Sequence, residues 1–267
     1  MPGEQVISGS VGRSGSAGNR LSKAEWQARV ELAAAYRLVH HYGWTDLIYN
    51  HISYELPGEP GAFLINPFGL AYHEVTASNL VKIDIDGNLL SDTMHRINRA
   101  GFIIHSAIHK ARPDARCVVH THSRAGVAVS CLAEGLLPMT QGGLQFHGRV
   151  AYHAYEGFNV NLDEQARLAA NLGNRNVLIL RNHGLLTTGS TIHKAFQRMV
   201  YLEQACEVQL DTLQCGRPLN MPPPDVCEAT ARAWDERTAG EDANASDDIE
   251  WAALLRLVDK LYPDYRN

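Results

Sequence analysis

The stretch Ala115-Arg-Cys-Val-Val-His-Thr-His-Ser-Arg-Ala-Gly-Val-Ala-Val-Ser130 decides how this chain is organised. Its segment Cys117-Val-Val119 predicts a short buried strand that delivers His120 and His122, two positions apart. Since side chains alternate faces along a strand, residues at this spacing point the same way and lie a few ångströms apart. Two imidazoles in that arrangement can chelate one transition-metal ion.

A third ligand is predicted at the end of a second apolar strand, in Val177-Leu-Ile-Leu-Arg-Asn-His183-Gly184. A lone His-X-His is a weak signal, because two strand histidines can equally be structural residues with satisfied hydrogen bonds. The added strand–His–Gly pattern favours a metal site formed by His120, His122 and His183. Three imidazoles leave coordination positions open on the metal. With Zn²⁺, an open position can polarise a substrate carbonyl. With Fe²⁺, the open positions can bind O₂ and a chelating substrate. Ligand type alone leaves both metals open.

Composition excludes several function classes. The chain has 267 residues, 45% of them apolar, and a net charge of -5. This mixed charge argues against a nucleic-acid binder, and no apolar run reaches the ~18 residues of a membrane span. The N-terminal residues lack an apolar core, so we expect no secretory signal there, and five widely spaced cysteines predict reduced thiols in a cytoplasmic protein.

Strand patterns alternate with helical patterns and predict an α/β fold. We expect a disordered tail over 1–20, one domain over 21–235, an acidic linker over 236–248 and a docking helix within 249–267. Predicted helices cover Ser22 to about Gly43, Ile97–Ala111, Ser123–Leu132, Leu162–Asn171 and Thr191–Cys215. Predicted strands cover Tyr49–Glu55, Ala62–Ile65, Val81–Ile85, Cys117–Val119, Val150–Tyr155 and Val177–Leu180.

The remaining histidines divide into three groups. His105 and His109 lie four apart on one predicted helix face, where buried structural histidines are the favoured interpretation. His147 and His153 lie where a loop could close over the metal. No function is assigned to the others, which are His40, His41, His51, His73, His95 and His193.

Five ordered segments resemble the class II aldolase/adducin family, in particular its adducin-like branch. They span 64–82, 100–114, 119–122, 135–138 and 180–185. The resemblance implies a three-layer α/β/α fold with a central, mainly antiparallel sheet. It also implies a homo-tetramer with sites at subunit interfaces, and a metal held by His120, His122 and His183.

The departures from the family pattern bear on the chemistry. Family aldolases carry an acid/base Glu four residues before the histidine that matches His105, and this chain has Gly101 there. Loss of a positioned acid/base commonly costs about 10²–10⁴ in rate. The family's phosphate-binding places read Tyr49-Asn50, Phe68-Gly69 and Arg99-Ala100 here. These changes predict an apolar or aromatic substrate in place of a sugar phosphate.

Three functions follow from this pattern. The first is a non-haem iron oxygenase, similar to those of aminocoumarin antibiotic pathways, that oxidatively decarboxylates a small aromatic 2-oxo or 2-hydroxy acid with Fe²⁺ and O₂. The second is a zinc-dependent aldolase or decarboxylase in which His147, His105 or a water moves the proton. The third is a non-catalytic, adducin-like interaction module. The residues expected to bind substrate are Tyr49, Asn50, Phe68, Gly69, Gln141 and Phe146.

Overall fold

A central seven-stranded sheet organises the protein. The computed structural model describes residues 21–157, 162–239 and 242–267, so the predicted tail 1–20 lies outside the described residues. The strands are β1 (His51–Glu55), β2 (Ala62–Ile65), β3 (Val81–Asp84), β4 (Cys117–Thr121), β5 (Val150–His153), β6 (Val177–Leu180) and β7 (Gly184–Gly189). Their order is β3-β2-β1-β4-β7-β6-β5, and every neighbouring pair is antiparallel except β5 with β6.

Seven α-helices flank the sheet within the described residues. They are α1 (Lys23–His41), α2 (Arg99–Ala111), α3 (Arg124–Ser130), α4 (Leu162–Leu172), α5 (Ile192–Gln214), α6 (Pro224–Ala239) and α7 (Asp242–Leu261). N-terminal capping explains where three of these helices begin. The side chains of Ser22, Asn98 and Thr191 accept hydrogen bonds from backbone N–H groups at the N-termini of α1, α2 and α5.

Alternation along the strands separates two hydrophobic layers. In β4, Cys117 and Val119 pack with α1 and α5, whereas Val118 packs on the opposite face with α2 and α4. β6 divides in the same way, with Ile179 on the α5 side and Leu178 on the α2 side. The sheet is therefore covered on both faces, and the predicted three-layer fold with a mainly antiparallel sheet is confirmed.

Three features differ from the predicted elements. β7 follows His183 directly and was not predicted, because its sequence Gly-Leu-Leu-Thr-Thr-Gly lacks a clear two-residue alternation. α6 was also missed, since Pro222-Pro-Pro224 was interpreted only as a helix terminator, although proline also fits a helix's first turn. Most of the predicted linker 236–248 is helical, with residues 240 and 241 outside the described part.

The C-terminal segment docks on its own domain. Trp251 and Val258 of α7 are buried in the large core that contains α1 and α5. The following turn buries Tyr265, whose backbone carbonyl accepts a hydrogen bond from Ala77 N–H at 2.9 Å. Among the described helices, none is long and apolar enough to cross a membrane.

Candidate metal centre

Three histidine rings converge at one end of the sheet, as the sequence predicts. His120 lies near the end of β4, His122 directly follows that strand, and His183 lies in the turn between β6 and β7. The Nε2 atom of His122 lies 2.8 Å from His120 Nε2 and 2.9 Å from His183 Nε2. Among the described residues, these three form the one group of His, Cys, Asp or Glu side chains with the geometry to hold a metal ion.

Hydrogen bonds at Nδ1 of His120 and His122 determine the protonation of their Nε2 atoms, which face the other rings. His120 donates from Nδ1 to the Leu185 carbonyl at 2.8 Å, and His122 donates from Nδ1 to Asp46 Oδ2 at 2.9 Å. In the neutral rings both Nε2 atoms therefore carry lone pairs. Two such nitrogens 2.8 Å apart repel each other unless a cation lies between them. The donor set thus fits a divalent ion, which the Nε2 atoms of His120, His122 and His183 would hold.

Burial keeps the His120 and His183 rings neutral, which is the form that binds metal. Burial, and then the proximity of His122, lowers the pKa of His183 to about 4. Burial and the neighbouring histidines hold the pKa of His120 well below its usual range. At neutral pH the lone pairs of these nitrogens are therefore available without first losing a proton.

Asp46 orients His122 from the loop between α1 and β1. The Asp46 backbone N–H in turn donates to Asn50 Oδ1 at 2.5 Å, so the buried Asn50 side chain holds the loop that carries Asp46. A carboxylate on the outer nitrogen of a ligating histidine is a common feature of metal sites. Asn50, predicted to bind substrate, positions Asp46 in this structure, and Asp46 itself was missed by the sequence analysis.

Glu203 fixes the end of β4 from the opposite face of the sheet. Its carboxylate, fully buried in α5, accepts hydrogen bonds from Thr121 Oγ1 at 2.8 Å and from Ser123 Oγ. These two residues flank His122, so the bonds fix its backbone. Burial, the largest effect, raises the pKa of Glu203 to about 7. An acidic residue within the apolar stripe of α5 was the sequence signal for this role.

The turn that presents His183 has demanding backbone geometry. Asn182 has a φ of 57°, in the left-handed region that Asn adopts more readily than most residues. At Gly184, a Cβ atom would lie 2.3 Å from the Thr121 carbonyl oxygen. The Asn-His-Gly sequence is thus required for β7 to approach β4 closely while His183 turns toward the other two rings.

A cavity of about 600 Å³ opens beside the three histidines. Its walls include Ile104, Leu168 and Tyr49, which supply aliphatic and aromatic surface. Among the described residues, its charged lining side chains are the acids Asp46, Glu156 and Glu164 and one cation, Arg181. The Arg181 guanidinium is bonded to the Leu132 and Ala133 carbonyls and lies over the Tyr152 ring at 4.2 Å. Glu156 is paired with Arg167, and among the described side chains the lining holds more acids than cations.

A buried chain of hydrogen bonds ends at this cavity. The Ala115 carbonyl accepts from His109 Nδ1 at 2.9 Å, and Ser53 Oγ lies 2.7 Å from His109 Nε2 and 2.6 Å from His105 Nδ1. His105 Nε2 then lies 2.7 Å from His51 Nδ1. Burial lowers the pKa of His51 to about 3 and of His109 to about 4. His105, predicted to be catalytic, is completely buried behind His51, and His51 lines the cavity.

The other predicted site residues fall into two places. Tyr49 lines the cavity, and Phe68, next to Gly69, has its ring 6.3 Å from the Tyr49 ring and is 38% exposed. Phe146 is instead buried in the α5 core, and His147 lines a different cavity with Leu136 and Tyr152. Gln141 precedes this loop and is likewise absent from the lining of the metal cavity. Within one chain, Gln141, Phe146 and His147 are not brought to the three histidines.

Comparison with known proteins places these features in a family. The model of the class II aldolase and adducin N-terminal domain matches residues 30–210. A solved structure of an aldolase II superfamily protein from Pseudomonas syringae is 47% identical, with a TM-score of 0.88, and the match covers 93% of this chain and 98% of that one.

Two further relatives carry different functional names, one an aldolase and one an adducin. The structure of L-fuculose 1-phosphate aldolase from Glaciozyma antarctica is 30% identical, with a TM-score of 0.76, and the match covers 89% of this chain and 92% of that one. Alpha-adducin of Rattus norvegicus is 44% identical over 249 residues, which are 90% of this chain and 34% of alpha-adducin. The chain thus corresponds to about a third of the length of that adducin.

Proposed function

This chain belongs to the class II aldolase and adducin N-terminal domain family, and we propose that it is a divalent-metal-dependent lyase that cleaves or forms a carbon–carbon bond in a small hydroxy- or oxo-acid. The observation that carries the proposal is the convergence of three histidine rings beside a cavity of about 600 Å³. The Nε2 atoms of His120 and His183 lie 2.8 and 2.9 Å from His122 Nε2. The volume of the cavity suits a small-molecule substrate. The named aldolase among the relatives supports the reaction class.

Each residue of the centre has a separate task in this proposal. His120, His122 and His183 would hold the ion, and a bound divalent ion would polarise a carbonyl oxygen of the substrate. Asp46 and Glu203 keep His122 in place through the hydrogen bonds described above. Tyr49 and Ile104 supply an apolar wall for the part of the substrate that does not react.

Zinc is the metal we propose first. Three imidazoles with an open position are a known catalytic zinc set, whereas many non-haem iron oxygenases use two histidines and a carboxylate. The nearest carboxylate by contact, Asp46, bonds to the outer nitrogen of His122 and so supports a ligand. Imidazoles also suit iron, so the Fe²⁺ and O₂ version remains a proposal to be tested, and the names of the reported relatives do not refer to oxygen chemistry.

The charge of the cavity bears on the substrate class. Asp46, Glu156 and Glu164 line it, and the Arg181 guanidinium is already bonded to two backbone carbonyls. Glu156 is paired with Arg167, so among the described side chains a phosphate dianion placed there would meet the carboxylates Asp46 and Glu164 and no cation without a hydrogen-bond partner. We therefore propose a substrate without a phosphate group, and the apolar walls favour an aliphatic or aromatic substituent.

The decisive experiment compares turnover with and without oxygen. The purified protein, loaded in turn with Zn²⁺ and Fe²⁺, is given a panel of aliphatic and aryl hydroxy-oxo acids in air and under nitrogen. We expect metal-dependent cleavage at equal rates in both atmospheres, abolished in His122→Ala. Turnover only in air and only with iron would replace the lyase by the oxygenase.

A second candidate is the non-catalytic, adducin-like interaction module, which the 44% identity to alpha-adducin favours. It predicts that the protein binds no divalent ion and that His122→Ala leaves its properties unchanged. Equilibrium dialysis with Zn²⁺ distinguishes the two, since the lyase requires one ion per chain.

Assembly and location also stay proposals. We propose a homo-tetramer, as the family resemblance implies, and a cytoplasmic location, for which the five unpaired cysteines are the support. Light scattering after gel filtration measures the first.

A further inference from the structure

In the hydrogen-bonded chain behind the cavity, which runs from Ala115 to His51, one assignment of donors and acceptors satisfies every bond. The Ala115 carbonyl can only accept, so the neutral His109 ring carries its proton on Nδ1 and accepts at Nε2. Ser53 therefore donates its single hydroxyl proton to His109 and accepts from His105 Nδ1. His105 Nε2, left as an acceptor, receives the Nδ1 proton of His51.

This direction leaves His51 with a lone pair on Nε2. His51 and His120 are directly opposite each other in the β1–β4 register, so their side chains share one face of the sheet, with ring centroids 5.2 Å apart. The His51 ring thus lies next to the metal-binding rings, in the wall of the same cavity.

Gly101 makes room for this ring. A Cβ atom built at Gly101 would lie 2.0 Å from His51 Nε2, closer than any side chain could come. The resemblance places the acid/base Glu of the family aldolases at this position. The His51 ring occupies the volume that a side chain at position 101 would need, so one polar group has taken the place of another.

We propose that His51 contacts the substrate, its Nε2 accepting a hydrogen bond from a substrate hydroxyl next to the atoms held at the three histidines. The proposal rests on the proposed function and extends it to substrate choice. A fixed acceptor selects a ligand that offers an O–H group and rejects one that offers only oxygen lone pairs or a methyl group at that point. The substrate class is therefore a hydroxy acid with a free hydroxyl beside its chelating oxygens.

The test uses two small chelators that differ in one donor. Glycolohydroxamate carries an O–H group where the isosteric propionohydroxamate carries a methyl group, and both can bind a metal through the hydroxamate. Their affinities are measured by calorimetry on the zinc-loaded full chain and on zinc-loaded variants. We expect His51→Ala to reduce the preference for glycolohydroxamate by about 3- to 10-fold, the range for one neutral hydrogen bond.

Three further variants make the result specific. His51→Gln, whose amide oxygen can accept, should restore part of the preference, and it serves if His51→Ala does not fold. Gly101→Ala should lower the preference, because its Cβ displaces the His51 ring. His193→Ala removes another buried histidine, which packs against Trp251 away from the cavity, and should leave the preference unchanged.

Two outcomes would overturn the proposal. One is an unchanged preference in both His51 variants. The other is loss of zinc from His51→Ala with retention in His193→Ala, which would make His51 a ligand. Failure of the proposed function would look different, because a zinc-loaded protein that cleaves none of the hydroxy-oxo acids could still show the His51-dependent preference.

Discussion

The two histidine clusters, one at the end of β4 and one between β1 and α2, use the same side chain in opposite ways. In the metal centre, the Nε2 atoms of His120, His122 and His183 meet at one point. In the buried chain, His51, His105 and His109 are arranged head to tail, two of them through the Ser53 hydroxyl. Convergent lone pairs require a cation, whereas a head-to-tail chain satisfies itself with neutral rings. His120 and His109 are both buried and both donate from Nδ1 to a backbone carbonyl, so the group that faces Nε2 decides which role a histidine takes.

The largest expected effect breaks the convergent cluster. His122→Ala removes the ring that contacts both other ligands, and we expect zinc affinity to fall by more than about 100-fold, since loss of an outer partner alone costs about 10–100-fold. The substitution His105→Gln in the other cluster should leave zinc bound. Competition with a chromophoric chelator measures both. Equal losses in the two variants would contradict the separation of the clusters.

A smaller effect is expected from the outer partner of His122. Asp46→Asn removes the charge that faces His122 Nδ1, and we expect about 10-fold weaker zinc binding, at the lower end of the outer-shell range. Asp225→Asn, an exposed position at the start of α6, is the matched control. The same measurement applies, and unchanged affinity in Asp46→Asn would show that His122 needs no orienting partner.

The head-to-tail cluster should respond in stability instead of metal affinity. Ser53→Ala leaves ring nitrogens of His105 and His109 without their partner, and we expect a loss of about 1–3 kcal/mol in the free energy of unfolding. Ser130→Ala, which removes a bond within α3 only, should cost about 1 kcal/mol or less. Urea unfolding of the zinc-free proteins measures the difference, which would vanish if water replaced the lost hydroxyl.

The sequence predicted the convergent cluster and not the other for a physical reason. His120 and His122 are related by strand periodicity, and His183 lies at the end of a second strand, so local pattern sufficed to predict that these three rings converge and that the fold has three layers. The contact between His51 and His105 spans 54 positions and depends on how α2 packs against β1. The periodicity of either segment does not predict that contact. Asp46 was missed for the same reason, because its contact with His122 spans 76 positions.

His147 lies away from the three histidines within the single chain, and its role stays a prediction. The sequence indicated that the loop before β5 could close over the metal, and in the structure Arg149 of this loop is paired with Glu228 and Asp235 of α6. Because α6 was not predicted, its hold on this loop could not be anticipated. Phe146 and His147 consequently face α5, α6 and a separate cavity within the single chain.

Acid should weaken the zinc-free protein through the buried histidines. Folded-state pKa values near 3 for His51 and near 4 for His109 and His183 lie below the ordinary 6.5. The unfolded chain therefore binds more protons between these values, so stability is complete above about pH 6.5 and falls as the pH drops toward 4. Thermal unfolding across this range should show a falling midpoint, and a flat midpoint would mean that the rings are already charged in the folded state.

Glu203 should oppose that trend, with a smaller effect because it is one group against several. Its folded-state pKa of about 7 lies above the ordinary 4.5, so the folded chain binds the extra proton between these values. Its contribution is complete below pH 4.5 and is lost as the pH rises to 7. In Glu203→Gln, stability should therefore rise more steeply with pH across this window than in the unmodified protein, with a neutral amide still able to accept from Thr121 and Ser123. An identical slope would show that Thr121 and Ser123 keep the carboxylate ionised throughout, as they would if their bonds outweighed its burial.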